Sequence, residues 1–150
     1  MLAIKPIHNI IIFTDLDGTL LDHNTYDFSP ALEIIEYCKI NNIPIIITTS
    51  KTKSEVLQLQ EQLKIDFPFI IENGAGIVIP TKDGLETIDL GITYDKTIEA
   101  FKKYQKNYNM EGFNSMSTQK VSELTNLPLE DASMAKQRSY GEPFLLLMLR

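Results

Sequence analysis

The chain has 150 residues, of which 43% are hydrophobic and 23% are charged. That length suits a single domain, and that composition excludes a disordered chain, a collagen or a disulfide scaffold. The net charge of −6 argues against general binding to nucleic acid or to an anionic membrane, while leaving room for a small anion at a local site.

Residues 9–14 (NIIIFT) form an unbroken apolar run that ends at an Asp-rich turn. Such runs predict a strand buried on both faces, as in parallel sheets. Ser29 and Pro30 predict an N-cap followed by proline at the first helical position. The helix is predicted over residues 30–41, with Leu32, Ile35 and Cys38 as its buried stripe. Residues 43–48 (IPIIIT) predict a second buried strand, with Pro44 tolerable near its start. Thr52 and Glu55 have capping-box spacing. The helix behind them is predicted to reach Lys64, with Val56, Leu59 and Leu63 on one face. Residues 67–71 (FPFII) predict a third strand. Strand, helix, strand, helix, strand implies a parallel sheet with right-handed crossovers.

The pattern changes after Asn73. Residues 76–80 (GIVIP), 81–84 (TKDG) and 85–90 predict a β-hairpin. Asp95 is expected to cap a helix through Tyr108, with Ile98, Phe101, Gln105 and Tyr108 on one face. Shorter helices are expected over residues 117–125 and after Pro128, through Ala132 and Ala135. Residues 142–149 (EPFLLLML) predict a strand. The shift near residues 73–76 divides the chain into residues 1–75, a three-stranded β-α-β-α-β unit, and residues 76–150, an α+β module. The fold class is α/β.

Thr14-Asp15-Leu16-Asp17-Gly18-Thr19-Leu20 follows directly on the first strand. In open α/β sheets ligands bind beyond the carboxyl ends of the strands. Two carboxylates two residues apart at such an end can divide the work of phosphate chemistry. One can attack phosphorus while ligating Mg²⁺; the other can protonate a leaving oxygen and then activate water. Gly18 allows a sharp turn, and the amides of that turn can face phosphate oxygens. A calcium loop is excluded by spacing: counted from Asp15, Leu20 and Tyr26 stand where glycine and glutamate are required.

These residues resemble the first motif of the haloacid dehalogenase-like phosphatases, an apolar strand followed by DxDGT. The resemblance implies Asp15 as the nucleophile that becomes an aspartyl-phosphate and Asp17 as general acid and base. It implies Mg²⁺ on the Asp15 carboxylate and the Asp17 carbonyl. Leu16 and Gly18 then belong to the phosphate-binding turn. The second motif, a Thr or Ser ending the second strand, falls within Thr48-Thr49-Ser50. Thr49 is the favoured phosphate-binding hydroxyl, with Ser50 close behind.

Within that superfamily the chain is similar to the mannosyl-3-phosphoglycerate phosphatases. Three strings carry this: Thr49-Ser50-Lys51-Thr52, Glu72-Asn73-Gly74-Ala75, and Ala135-Lys136-Gln137-Arg138-Ser139-Tyr140-Gly141-Glu142-Pro143-Phe144, which departs from the family form at Gly141. The likeness implies a partial sheet domain followed by a cap module. It implies a phosphorylated sugar acid as substrate, with Lys51, Asn73, Lys136, Arg138 and Glu142 on the substrate side. The family's later phosphate-holding lysine and Gly-Asp motif have no counterpart here, since the sequence holds no Gly-Asp dipeptide. The chain is therefore expected to correspond to the first half of such an enzyme, with an open edge on its first strand. Self-association, a complementing C-terminal fragment, or an inactive product of a truncated gene are each compatible with that. A receiver-like domain is disfavoured, because DxDGT follows the first strand and a cap-like insertion follows the third.

The single cysteine, Cys38, cannot form an internal disulfide and fits a reducing compartment. No apolar run is long enough to span a bilayer, and the N-terminal run lacks a signal-peptide shape. A cytoplasmic location is expected.

Overall fold

The structure is a computed structural model and describes residues 10–22, 25 and 27–146. A five-stranded sheet forms the larger part. β1 (Ile12–Thr14), β2 (Ile45–Thr48) and β3 (Phe69–Ile71) run parallel, and β4 (Gly76–Thr81) and β5 (Gly84–Asp89) add antiparallel strands, in the order β1-β2-β3-β4-β5. The composition shift near residue 73 is thus where the sheet changes from parallel to antiparallel. The hairpin extends the same sheet.

α1 (Leu32–Ile40) connects β1 to β2, and α2 (Lys53–Leu63) connects β2 to β3. The α2 start follows the local code. Thr52 accepts the Glu55 N–H, and the Glu55 carboxylate accepts the Thr52 N–H at 2.8 Å. Val56, Leu59 and Leu63 are buried, as their spacing predicts. They join Ile35, Cys38, Ile45, Ile47, Phe69, Ile71 and Val78 in one apolar cluster.

α1 departs from the sequence expectation at its start. Residues Ser29–Ala31 form a 3-10 turn, and Ser29 caps nothing. Its N–H and hydroxyl both donate to the Asp27 carboxylate, at 2.9 and 2.6 Å. Ile35 and Cys38 are buried, but Leu32 stands 40% exposed.

β1 also departs. Among the described residues it pairs only with β2, through Ile12↔Ile45 and Thr14↔Ile47. Among the described residues its other edge is unpaired, and Phe13 is 65% exposed. It is not buried on both faces: Ile12 and Thr14 are half-buried and Phe13 faces solvent.

The remainder is built from α3 (Tyr94–Gln105), β6 (Met110–Gly112), α4 (Thr118–Thr125), α5 (Leu129–Ala135) and β7 (Phe144–Leu146). β6 and β7 pair antiparallel into a second sheet. β6 was not foreseen. α3 starts without a side-chain cap and ends before Tyr108, which is exposed. Only Phe101 of its expected face is fully buried. The predicted final strand is seen as β7, and residues 147–149 of it lie outside the described residues. Residues 1–9, including the start of the NIIIFT run, also lie outside them. Among the described residues, no helix is long and apolar enough to cross a membrane.

Candidate active site

The turn after β1 is built around alternating burial. Leu16 is fully buried, while Asp15 and Asp17 on either side of it are exposed. Leu16 is the anchor: its carbonyl accepts the N–H groups of Thr19 and Leu21 at 3.1 and 2.9 Å. Gly18 has φ 75°, a left-handed conformation that suits glycine. Its N–H donates to the Leu21 carbonyl at 2.9 Å. That donor closes the turn, and the Leu16 side chain packs in the core. The effect of both is to hold two carboxylates in solvent at the carboxyl end of β1.

The β2 end lies alongside. The β1–β2 register sets Thr14 against Ile47, so the residues after each pair are neighbours. The Thr49 N–H donates to the Ile70 carbonyl, and the Thr49 hydroxyl accepts the Lys51 N–H at 3.2 Å. Ser50 is exposed. The Thr48 hydroxyl is buried with no partner among the described residues. The Lys51 ammonium lies 3.4 Å from the Asp17 carboxylate and 3.9 Å from Glu55. It is the cation that joins the two strand ends. The Asn73 N–H donates to the Thr49 carbonyl at 2.9 Å, which places Asn73 beside the second motif through its backbone.

The third element is Glu72, which the sequence did not single out. Its side chain is 0% exposed. A buried carboxylate is costly unless fully paired, and this one is. It accepts the N–H groups of Ser139, Tyr140 and Gly141 at 2.7, 3.0 and 2.7 Å. The Arg138 Nε lies 3.3 Å away. Arg138 also donates to the Gly141 carbonyl, and through Nη1 to the Ser50 carbonyl, both at 3.2 Å. To reach this position the backbone turns left-handed at Glu72 (φ 47°) and Asn73 (φ 59°). Such conformations are uncommon outside glycine and persist where surrounding contacts hold them.

Further contacts tie the 135–144 string into the fold. Arg138 is occupied in bridging Glu72 to the Ser50 loop. Lys136 donates to the Met116 carbonyl. Glu142 accepts the Tyr94 hydroxyl at 2.6 Å and the Asn114 N–H at 2.8 Å. Burial, and then that carboxylate, push the Tyr94 phenol well up. All three side chains make contacts within the protein that position the module. Tyr140 adds an apolar tie. It belongs to the main cluster, and a Cβ on Gly76 would meet its ring at 2.7 Å. Burial and the Asp89 carboxylate, which accepts its hydroxyl, raise its phenol to about 12.

Among the described residues, no group of three or more His, Cys, Asp or Glu side chains is placed to hold a metal ion. Asp15 and Asp17 supply two carboxylates. Mg²⁺ is usually bound by one or two carboxylates with waters and substrate phosphate completing its shell. The donor set fits that mode.

The sequence profile of the haloacid dehalogenase-like hydrolases matches residues 12–143. The chain belongs to this family. It is 38% identical over 148 residues to a glucosyl-3-phosphoglycerate/mannosyl-3-phosphoglycerate phosphatase of Persephonella marina, covering 91% of this chain and 55% of the relative. It is 31% identical over 147 residues to a mannosyl-3-phosphoglycerate phosphatase of Pyrococcus furiosus, covering 91% and 60%. The chain thus spans somewhat more than half the length of these curated relatives. In structure it resembles a haloacid dehalogenase-like hydrolase from Bacteroides thetaiotaomicron, with a TM-score of 0.60 at 16% identity, covering 79% of this chain and 49% of the other. It also resembles a haloacid dehalogenase-like hydrolase from B. subtilis, with a TM-score of 0.55 at 22% identity, covering 85% and 50%. These likenesses bear on the fold, and they agree with the α/β architecture seen here.

Proposed function

We propose that this chain carries the nucleophile half of a Mg²⁺-dependent phosphomonoesterase acting on a phosphorylated sugar acid such as mannosyl-3-phosphoglycerate. One observation carries this: two exposed carboxylates at the end of β1, with the Lys51 ammonium 3.4 Å from the second. The substrate class rests on the named relatives.

Asp15 attacks phosphorus and forms an aspartyl-phosphate as the ester bond breaks. Asp17 protonates the departing alcohol oxygen, then takes a proton from the water that hydrolyses the acyl-phosphate. Inorganic phosphate leaves and Asp15 is regenerated. Lys51 and the hydroxyls of Thr49 and Ser50 orient the phosphoryl oxygens and offset their charge. Mg²⁺ held by the Asp15 carboxylate and the Asp17 carbonyl would supply further charge neutralisation. The region from α3 to β7 contributes the cap side, with Arg138, Lys136 and Glu142 setting its position, in a cytoplasmic setting.

A second reading is favoured by the β1 edge, which is unpaired among the described residues, and by the exposed Phe13. Exposed apolar edges are pairing sites, so the competent state includes a further strand paired with β1.

The test is phosphate release from mannosyl-3-phosphoglycerate with Mg²⁺ or with EDTA. Mg²⁺-dependent release is expected, falling to background in Asp15→Asn, since an amide is a poor nucleophile. Release that survives Asp15→Asn contradicts the assignment.

A further inference from the structure

A cavity of about 670 Å³ lies between α2 and the α4–α5 turn. That volume is in the range of small-molecule sites. Lys51 lines one end of it, and the Lys51 ammonium is also the group beside Asp17. Lys51 therefore links the cavity to the Asp17 carboxylate.

The chemistry of the wall differs along its length. Lys51 is the one cation in the lining, while Glu55 and Asp131 are acids. An anionic group is favoured at the Lys51 end and opposed elsewhere. Gln58, Gln62 and Asn126 also line the space. Gln58 and Gln62 sit one helical turn apart on the same face of α2. Asn126 is the left-handed C-cap of α4. The side chains of these three and of Asp131 make no hydrogen bond with other described residues. Each amide offers both donors and acceptors, which matches hydroxyl groups, themselves both donors and acceptors. Phe28, Leu59 and Leu127 supply apolar surface between them, suited to the C–H faces of a ring.

We infer that this cavity is the subsite for the uncharged, polyhydroxylated part of the substrate, a glycosyl ring, held by the side chains of Gln58, Gln62, Asn126 and Asp131. The inference rests on the proposed phosphatase reading, because it puts the phosphate at the Lys51 end. It adds a recognition set on α2 and the α4–α5 turn, separate from the 135–144 string.

The experiment is two titrations of the ¹⁵N-labelled full chain followed by NMR. One uses mannosylglycerate, which carries no phosphate; the other uses inorganic phosphate with Mg²⁺. Mannosylglycerate is expected to shift resonances of residues 58–62 and 125–131. Gln58→Ala and Gln62→Ala, each removing about one hydrogen-bonding group, are expected to weaken it roughly three- to tenfold while leaving phosphate affinity unchanged. Asp131→Asn, which keeps the shape, is expected to weaken it less. If mannosylglycerate leaves those residues unmoved, or if the Gln variants weaken phosphate equally, the subsite is wrong. Failure of the phosphatase reading looks different: phosphate with Mg²⁺ would then leave residues 15–18 and 49–51 unmoved.

Discussion

One apolar cluster of fifteen buried residues organises the sheet side of the molecule, and of these only Tyr140 comes from beyond Val78. The region from α3 to β7 gathers just Met116, Val121 and Ala132 into a cluster of its own. At about 1.5–3 kcal/mol per fully buried large apolar side chain, the first region can hold itself by burial and the second cannot. The second is tied on by other means: the Glu72 carboxylate, the Arg138 bridge and the Tyr140 ring. The lesson is that the side carrying Asp15 and Asp17 is fixed by apolar packing, while the other side is placed largely by polar ties, with the buried Glu72 carboxylate at their centre.

That contrast can be broken most forcefully at Glu72. Glu72→Ala leaves Arg138 buried without its anion and three N–H groups unpaired. A loss of about 3–5 kcal/mol is expected in urea denaturation. Residues 94–146 should become protease-sensitive before the sheet does. Equal protection of both regions in the variant would mean that the tether is not Glu72.

A smaller effect tests the weaker cluster itself. Val121→Ala removes buried methyl groups and should cost about 1–2 kcal/mol. The amide-exchange change should stay within residues 110–146. Spread of that change into β2 or β3 would show that the two regions unfold as one.

The mildest test is pH. Below about pH 10 the Tyr140 phenol is protonated in both the folded and the unfolded chain, so its contribution is whole. Between about 10 and 12 the unfolded chain releases that proton while the folded chain keeps it. Stability therefore falls as pH rises through that window. Tyr140→Phe should make the fall shallower; Tyr94, whose phenol is also raised, keeps part of it. An unchanged slope would mean that Tyr140 is not the buried phenol described here.

Legibility in the sequence follows the same divide. β2 and α2 could be read because their signals are local: an isoleucine run, a capping box and a one-face stripe. The acidic turn could be read because a strand runs straight into it. Leu32 is exposed because it is the first residue of α1, directly after a 3-10 turn, while Ile35 and Cys38 of the same stripe are buried. β6 has three residues and no alternation, and exists because β7 pairs with it. Glu72 stood in plain view within a recognisable string, but its partners lie 67 to 69 positions downstream. No spacing rule reaches that far. The contacts of Arg138 with the Ser50 carbonyl and of Lys136 with the Met116 carbonyl are also remote in sequence.

The central claim is that Asp15 is the attacking group. Its most direct test is to trap the covalent state. The chain is incubated with substrate and Mg²⁺, quenched and treated with borohydride, which reduces an aspartyl-phosphate to homoserine, and the product is mapped by mass spectrometry. Homoserine at position 15, dependent on substrate and absent from Asp15→Asn, is the expected result. Phosphate release without that mark, or with the mark at Asp17, would contradict the account.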